Sequence, residues 1–211
     1  MNREKEIAKT KQDIEKAITR DNLIIQTTHS LNEITKSINK LSMNLKERYF
    51  LYAPYTAKEG IDKILEAISH PKKESMGISM TKEDLSSIKQ LADTLKKLQD
   101  LQNKQEYYLE SLTKEICPEL QKAATTSLCA SLLDYAGSLK NLAKMPSSRI
   151  QILGAEKALF RHLKEGANPP KFGIIFSHSE ISKAQNKGKA ARQLASKISI
   201  AAKKDYFKNE N

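Results

Sequence analysis

Leu31-Asn-Glu-Ile-Thr-Lys-Ser-Ile-Asn-Lys-Leu-Ser-Met-Asn-Leu45 decides the fold. Its branched apolar residues, Leu31, Ile34, Ile38, Leu41 and Leu45, alternate spacings of three and four. A mean period near 3.5 is helical and stacks all five side chains in one narrow seam, whereas a strand needs a period of two. A second series, Ile88, Leu91, Leu95, Leu98, Gln102, Gln105, Leu109, Leu112 and Ile116, keeps the same alternation. Such strictness marks a coiled-coil seam, narrower than the stripe of a globular surface helix. Gln102 and Gln105 interrupt it. An exposed or water-bridged layer is the simpler account of the pair, and a register device is the alternative.

Working outward, Ile14, Ala17, Ile18 and Ile24 extend the first helix towards the N-terminus. Pro54 disfavours helix at the residue before it, so that helix should end near Tyr52. Thr81 reads as the N-cap of the second, with Asp84 in its first turn. Residues 54–80 then form a tip with one short helix, Lys58–Ser69, bounded by Pro71 and Gly77. The simplest arrangement is a long antiparallel hairpin with helices on the order of 45 Å, at ~1.5 Å per residue.

From Pro118 the pattern shortens. Helices are expected over Leu120–Leu133, Ala136–Ala143, Ala155–Lys164 (closed by Gly166) and Lys189–Tyr206. Asn168-Pro-Pro leads into Lys171–Ser177, whose Phe-Gly-Ile-Ile-Phe centre reads as a buried extended segment, and Ser177–Lys187 reads as loop. The expected fold class is therefore all-α, a coiled-coil hairpin over residues 1–117 followed by a compact helical domain over 118–211. Few glycines and prolines and a composition rich in Lys, Leu, Ala, Ser, Ile and Glu agree with that.

No apolar run approaches the ~20 residues that cross a bilayer, and the polar start Met1-Asn-Arg-Glu-Lys5 lacks a signal peptide's apolar core. A soluble, cytoplasmic protein with no membrane partner is expected. Cys117 and Cys129 lie twelve apart with no CxxC and no clustered His, so they are read as small buried residues, with neither a zinc site nor a disulfide framework. His29, His70, His162 and His178 are scattered and fit no catalytic arrangement. Gly188-Lys189 lacks the GxxxxGK[ST] frame. No cofactor, metal or enzymatic activity is expected.

Charge supplies the functional direction. Of 36 basic and 25 acidic residues, fourteen and five fall in residues 144–211, a net of +9; the preceding 143 residues hold 22 and 20, a net of +2. Ordinary solvated faces mix both signs, whereas a one-sided excess is the footprint of a polyanion binder. Arg149, Lys157, Arg161 and Lys164 surround a Ser-Ser turn and a helix start. The last three recur at i, i+4 and i+7, hence on one helical face. Lys187, Lys189 and Arg192 form a second cluster, and His178 can stack on an unpaired base. Singly, each has an ordinary reading: Arg161 can pair with Glu165, Lys157 can be solvated, His162 can pack in the core. As a set they favour RNA. The competing class is a coiled-coil interaction module whose basic lobe binds an acidic protein.

Ile150-Gln-Ile-Leu-Gly-Ala-Glu-Lys-Ala-Leu-Phe-Arg161 resembles the signature of the Nop domain, most strongly in its archaeal members. The likeness continues through Pro169-Pro-Lys-Phe-Gly-Ile-Ile175, Gly188-Lys-Ala-Ala-Arg192 and Ala201–Phe207. Upstream, Arg20-Asp-Asn-Leu-Ile-Ile-Gln26 and Ser75-Met-Gly77 look like the family's coiled-coil segments. Together these span roughly residues 20–207.

The resemblance implies a Nop domain over 118–211 and a non-catalytic scaffold of a box C/D guide ribonucleoprotein for RNA 2′-O-methylation. Its partners would be a kink-turn guide RNA and the ribosomal-protein-like factor bound to that kink-turn. It implies RNA or partner contacts at Arg149, Gln151, Gly154, Ala155, Glu156, Lys157, Arg161, His178, Lys187, Lys189 and Arg192. His178 matches a loop position of spliceosomal members, although the neighbouring loop differs here. Self-association through the coiled coil is implied as well, with Leu31, Ile38, Leu45, Leu95, Leu98 and Leu109 as candidates. The family's fibrillarin-recruiting domain and lysine-rich tail find no match in these residues, so fibrillarin is expected only as an indirect partner.

Overall fold

The computed structural model describes residues 2–17 and 19–210, the side chains of 2, 12–17, 209 and 210 excepted. Twelve α-helices and one 3-10 turn, and no strand, occur among the described residues, so the all-α class holds. None of these helices is long and apolar enough to cross a membrane. The chain divides into two compact units, His29–Tyr107 and a second that joins residues 1–28 to 108–211.

In the first unit, α2 (Asp21–Phe50) packs against α5 (Lys82–Ile116), the parts of both that lie within it sharing one apolar core. Along the seam, Ile38, Leu45, Ile88 and Leu95 are buried, and Ile34, Leu41, Leu91 and Leu98 are only partly covered. The amide of Gln102 donates across to Thr35 Oγ1 at 3.2 Å, so this interruption makes a polar rung between the helices. Thr81 caps α5 as expected: its Oγ1 accepts from Asp84 N–H at 3.1 Å, and the Asp84 carboxylate accepts back from Thr81 N–H at 2.9 Å. These hydrogen bonds hold the Asp84 carboxyl below its ordinary range.

The tip departs from the expected single helix. It contains α3 (Pro54–Glu59) and α4 (Ile61–Ala67), broken at Gly60, whose φ of 121° belongs to glycine. No side chain of its own caps α3; the Glu74 carboxylate does so from the following loop, accepting from Tyr55 N–H at 2.6 Å and Thr56 N–H at 2.9 Å. Gly77 lies so close to the Tyr52 carbonyl that an added Cβ would stand 1.7 Å from its oxygen.

In the second unit, α1 (Asn2–Ala17) is a helix separate from α2, correcting the continuous first helix. Ile18 and the side chains of Ile14 and Ala17 lie outside the described residues. Asp21 explains the new start. It is buried, accepts the Thr19 hydroxyl through one oxygen, and with the other accepts Leu139 N–H at 2.6 Å. That amide opens α8 (Leu139–Lys144), already capped by Ser138. Asp205 acts alike on α6 (Pro118–Ala124), taking Glu119 N–H at 3.1 Å and Leu120 N–H at 2.7 Å. Burial pushes the Asp205 carboxyl up, against the lowering effect of those two amides.

The expected helix over Leu120–Leu133 is likewise divided into α6 and α7 (Thr126–Ala136), at Thr125. A φ of 68° at this β-branched residue is strained and held by its surroundings. Gly137, with φ 78°, ends α7. The last helix, α12 (Lys187–Glu210), packs against α6, α8 and α9 (Ser147–Ile152), a helix not anticipated from sequence. Its buried Ala191, Leu194, Ala195, Ile198 and Ala202 form the middle of the core.

Candidate nucleic-acid interface

The proline–serine turn builds upward from Pro146, the N-cap of α9. Ile150 is buried and anchors this helix, leaving Arg149 exposed on it. Gly154 then turns the chain with φ 81°; an added Cβ would meet Ile174 at 2.3 Å. Glu156 accepts the Gly154 N–H at 2.8 Å and so fixes the turn from the first residue of α10 (Glu156–Glu165). A carboxylate there also suits the positive end of a helix.

Residues 171–177 are held against this corner. Gln151 donates its side-chain amide to the Lys171 carbonyl at 2.7 Å, and the Gln151 and Leu153 carbonyls accept from Gly173 and Ile174 N–H at 2.8 Å. Gly173 fits because an added Cβ would stand 1.9 Å from the Leu153 oxygen. The buried extended segment expected here is instead a 3-10 turn, Ile174–Ser177, in which Ile175 is the buried residue. Phe172, before the turn, and Phe176, within it, stack on each other at 4.6 Å, with Lys187 Nζ 5.4 Å from the Phe176 ring. His178 caps the short α11 (Ser179–Ser182), where loop was expected, its Nδ1 accepting from Glu180 N–H at 3.3 Å.

The structure therefore sorts the sequence-derived site residues by chemistry. Gln151, Gly154 and Glu156 have internal partners and build the corner. Ala155 stands at the N-cap of α10, half-exposed. Arg149, Lys157, Arg161, Lys187, Lys189 and Arg192 are exposed, and none is in an ion pair among the described residues. In particular Arg161 forms no pair with Glu165. Lys171, Phe172 and Lys187 share a cleft of about 390 Å³ with Gln185, Asn186 and Gly188. His162 is half-exposed and donates from Nδ1 to the Ala167 carbonyl at 2.5 Å, closing α10 at Gly166.

Sequence reasoning missed the apolar part of this surface. No residue of α10 is buried, and Phe160 and Leu163 are 69% and 74% exposed beside Lys157, Arg161 and Lys164. Their spacing was visible; that nothing covers them was not, since periodicity is the same whichever side a core lies on. The seam residues named for self-association lie elsewhere than on a free surface: Leu31, Ile38, Leu45, Leu95 and Leu109 are buried in this chain's own packing, and Leu98 is partly buried. Among the described residues no group of three or more His, Cys, Asp or Glu is placed to hold a metal ion.

The chain is similar to several known proteins. The family model described as Nop, snoRNA binding domain, fibrillarin, matches residues 52–211. An uncharacterized NOP5 family protein of Methanocaldococcus jannaschii is 38% identical over 89% of this chain and 52% of its own length. Human nucleolar protein 56 is 34% identical over 89% of this chain and 37% of its own. The chain thus spans about half or less of these curated relatives. A solved structure described as a fibrillarin/Nop5p complex superposes with a TM-score of 0.58 at 28% identity, covering 97% of this chain and 69% of that one.

Proposed function

Because the chain belongs to the Nop family, we propose that it is an RNA-binding scaffold of a box C/D guide ribonucleoprotein. The observation that carries this is the surface of α10. Three exposed cations on one face of a helix meet phosphate, while neighbouring exposed Phe160 and Leu163 offer an apolar contact that phosphate does not need. A mixed surface of this kind fits a composite target: a kink-turn RNA together with the ribosomal-protein-like factor bound to it. Arg149, Lys187, Lys189, Arg192 and His178 extend the same surface in this reading, and Gln151, Gly154, Ala155 and Glu156 hold it in shape.

The division of labour follows the two parts of the sequence, residues 1–117 for self-association and 118–211 for docking. Ile34, Leu41, Leu91 and Leu98, incompletely covered within the chain, are better candidates for contact with a second copy than the buried seam. The chain itself performs no chemistry in this proposal; 2′-O-methylation belongs to a methyltransferase. The fibrillarin/Nop5p complex found among solved relatives supports keeping fibrillarin as a partner, rather than only an indirect one.

Gel shifts test the docking. Kink-turn RNA loaded with its protein factor should bind at least tenfold more tightly than naked RNA, and Lys157→Ala with Arg161→Ala should lower the salt slope by about 2, at roughly 0.9 per phosphate contact. Equal affinity for any RNA removes the specific claim. Binding to acidic protein but not RNA restores the competing class.

A further inference from the structure

Cys117 and Cys129 are both free thiols, both 0% exposed, and their sulfurs lie 3.3 Å apart. The arrangement depends on two breaks in the chain. Cys117 is the single residue between α5 and α6, and its φ of −141° takes it out of the helical region that Pro118 disfavours in its predecessor. Thr125, strained at φ 68°, turns α6 into α7 and brings Cys129 back against Cys117. Among the described residues no group of three or more His, Cys, Asp or Glu is placed to hold a metal, and two sulfurs in contact have disulfide formation as their ordinary covalent chemistry.

We propose that Cys117 and Cys129 are a redox-dependent staple, which a small-molecule disulfide such as oxidised glutathione closes into an intramolecular disulfide. The thiolate of one cysteine attacks a glutathione sulfur, forming a mixed disulfide and releasing one glutathione thiol. The second cysteine then attacks the protein sulfur of that mixed disulfide and displaces the other glutathione thiol. Two S–H bonds and one glutathione S–S bond are lost, one protein S–S bond is gained, and the glutathione carries away both electrons and both protons. Moving from 3.3 Å to the bonded ~2.05 Å needs a displacement of about 1.2 Å, within reach of side-chain rotation and small backbone shifts.

Reaction is gated by opening. The hydrogen bond that the Cys129 S–H donates to Cys117, together with burial, pushes the Cys129 thiol up, so it stays protonated in the closed lobe. Closure belongs to folding or to local unfolding, and the finished bond is then shielded from reductant. It joins the α5–α6 junction to α7 and constrains the strained Thr125 corner. In a reducing compartment the pair stays open.

The full chain, unfolded in urea and refolded either with reduced glutathione or with an oxidised/reduced couple, decides the matter. After acid quench, denaturation and maleimide labelling, intact mass should show two labels for the reduced sample. The oxidised sample should carry none, weigh about 2 Da less than the unlabelled reduced chain, and unfold roughly 5–10 °C higher, an advantage that dithiothreitol removes. Two labelled thiols after oxidative refolding, or a glutathione adduct on either cysteine, overturns the proposal, as does an unchanged unfolding midpoint. Cys117→Ser and Cys129→Ser serve as controls and should take up one glutathione each. RNA is absent from every arm, so the outcome is independent of the docking proposal.

Discussion

The two units reach helical structure by opposite means. Residues 29–107 use sequence rhythm: an apolar seam, a Thr81–Asp84 cap and a continuous core from Ile38 to Leu95. Thirteen basic and eleven acidic residues leave that unit at +2, whereas the remaining residues, with 23 and 14, stand at +9. The second unit is made of shorter pieces whose ends need help from afar. Asp21 serves α8 across 118 residues and Asp205 serves α6 across 85. The first unit does so over shorter spans, where Glu74 caps α3 across 19 residues and Lys96 Nζ donates to the Leu65 carbonyl near the end of α4 across 31. Regular helices can bury their apolar positions against each other; irregular ones must be tied by buried polar groups, and the surface they leave keeps cations and apolar side chains in water.

The contrast breaks most sharply at Leu45, fully buried in the seam. Leu45→Ala should cost about 3 kcal/mol, from lost transfer energy and the cavity left behind. Hydrogen exchange should rise across residues 34–68 and stay unchanged across 139–205; uniform loss of protection in both would show that the two units unfold as one. Gly173→Ala is the reciprocal change, about 2 kcal/mol or more, because the Leu153 carbonyl occupies the space its Cβ needs. Here exchange should rise over 171–182 and leave the tip helices protected.

A smaller effect distinguishes the carboxylate caps by sign. Hydrogen bonds from Thr56 and Tyr55 outweigh burial at Glu74 and hold its carboxyl below the ordinary range. Its contribution is therefore present at neutral pH and disappears as pH falls through its folded value. Asp205 is raised by burial, so its cost is present at neutral pH and is relieved as pH falls towards the unfolded carboxyl value. Urea unfolding between pH 7 and 4 should show the deficit of Glu74→Gln narrowing and that of Asp205→Asn widening. Parallel trends would mean that the two caps do not differ in this way.

What could be read from the sequence follows the same division. The seam, the Thr81 cap and the closing Gly166 were legible because each is specified within one or two turns. Gly60 went unrecognised because an isolated glycine inside a helical pattern is tolerated at modest cost and does not by itself mark a break. Thr125 gave no signal at all, since its backbone is imposed by the packing around it. The basic cluster was legible as charge. The separate structural work of Gln151 and Glu156 was not, because their partners, Lys171 and Gly154, are set by a turn rather than by a repeat. The cysteine pair was hidden for the same reason.

The position of α12 at the middle of its core bears on the order in which a ribosome delivers the parts. Residues 29–107 emerge together and hold their own partners, so this unit can fold while the rest is still being made. Its neighbour is assembled from the first 28 residues and the last 104, and α6, α8 and α9 lack their central support until residues 187–205 have left the exit tunnel. Asp21 waits for Leu139, and Leu120 waits for Asp205. The lobe proposed to dock RNA is thus the last part of this chain to exist as a folded object, and a truncated product would present the hairpin alone.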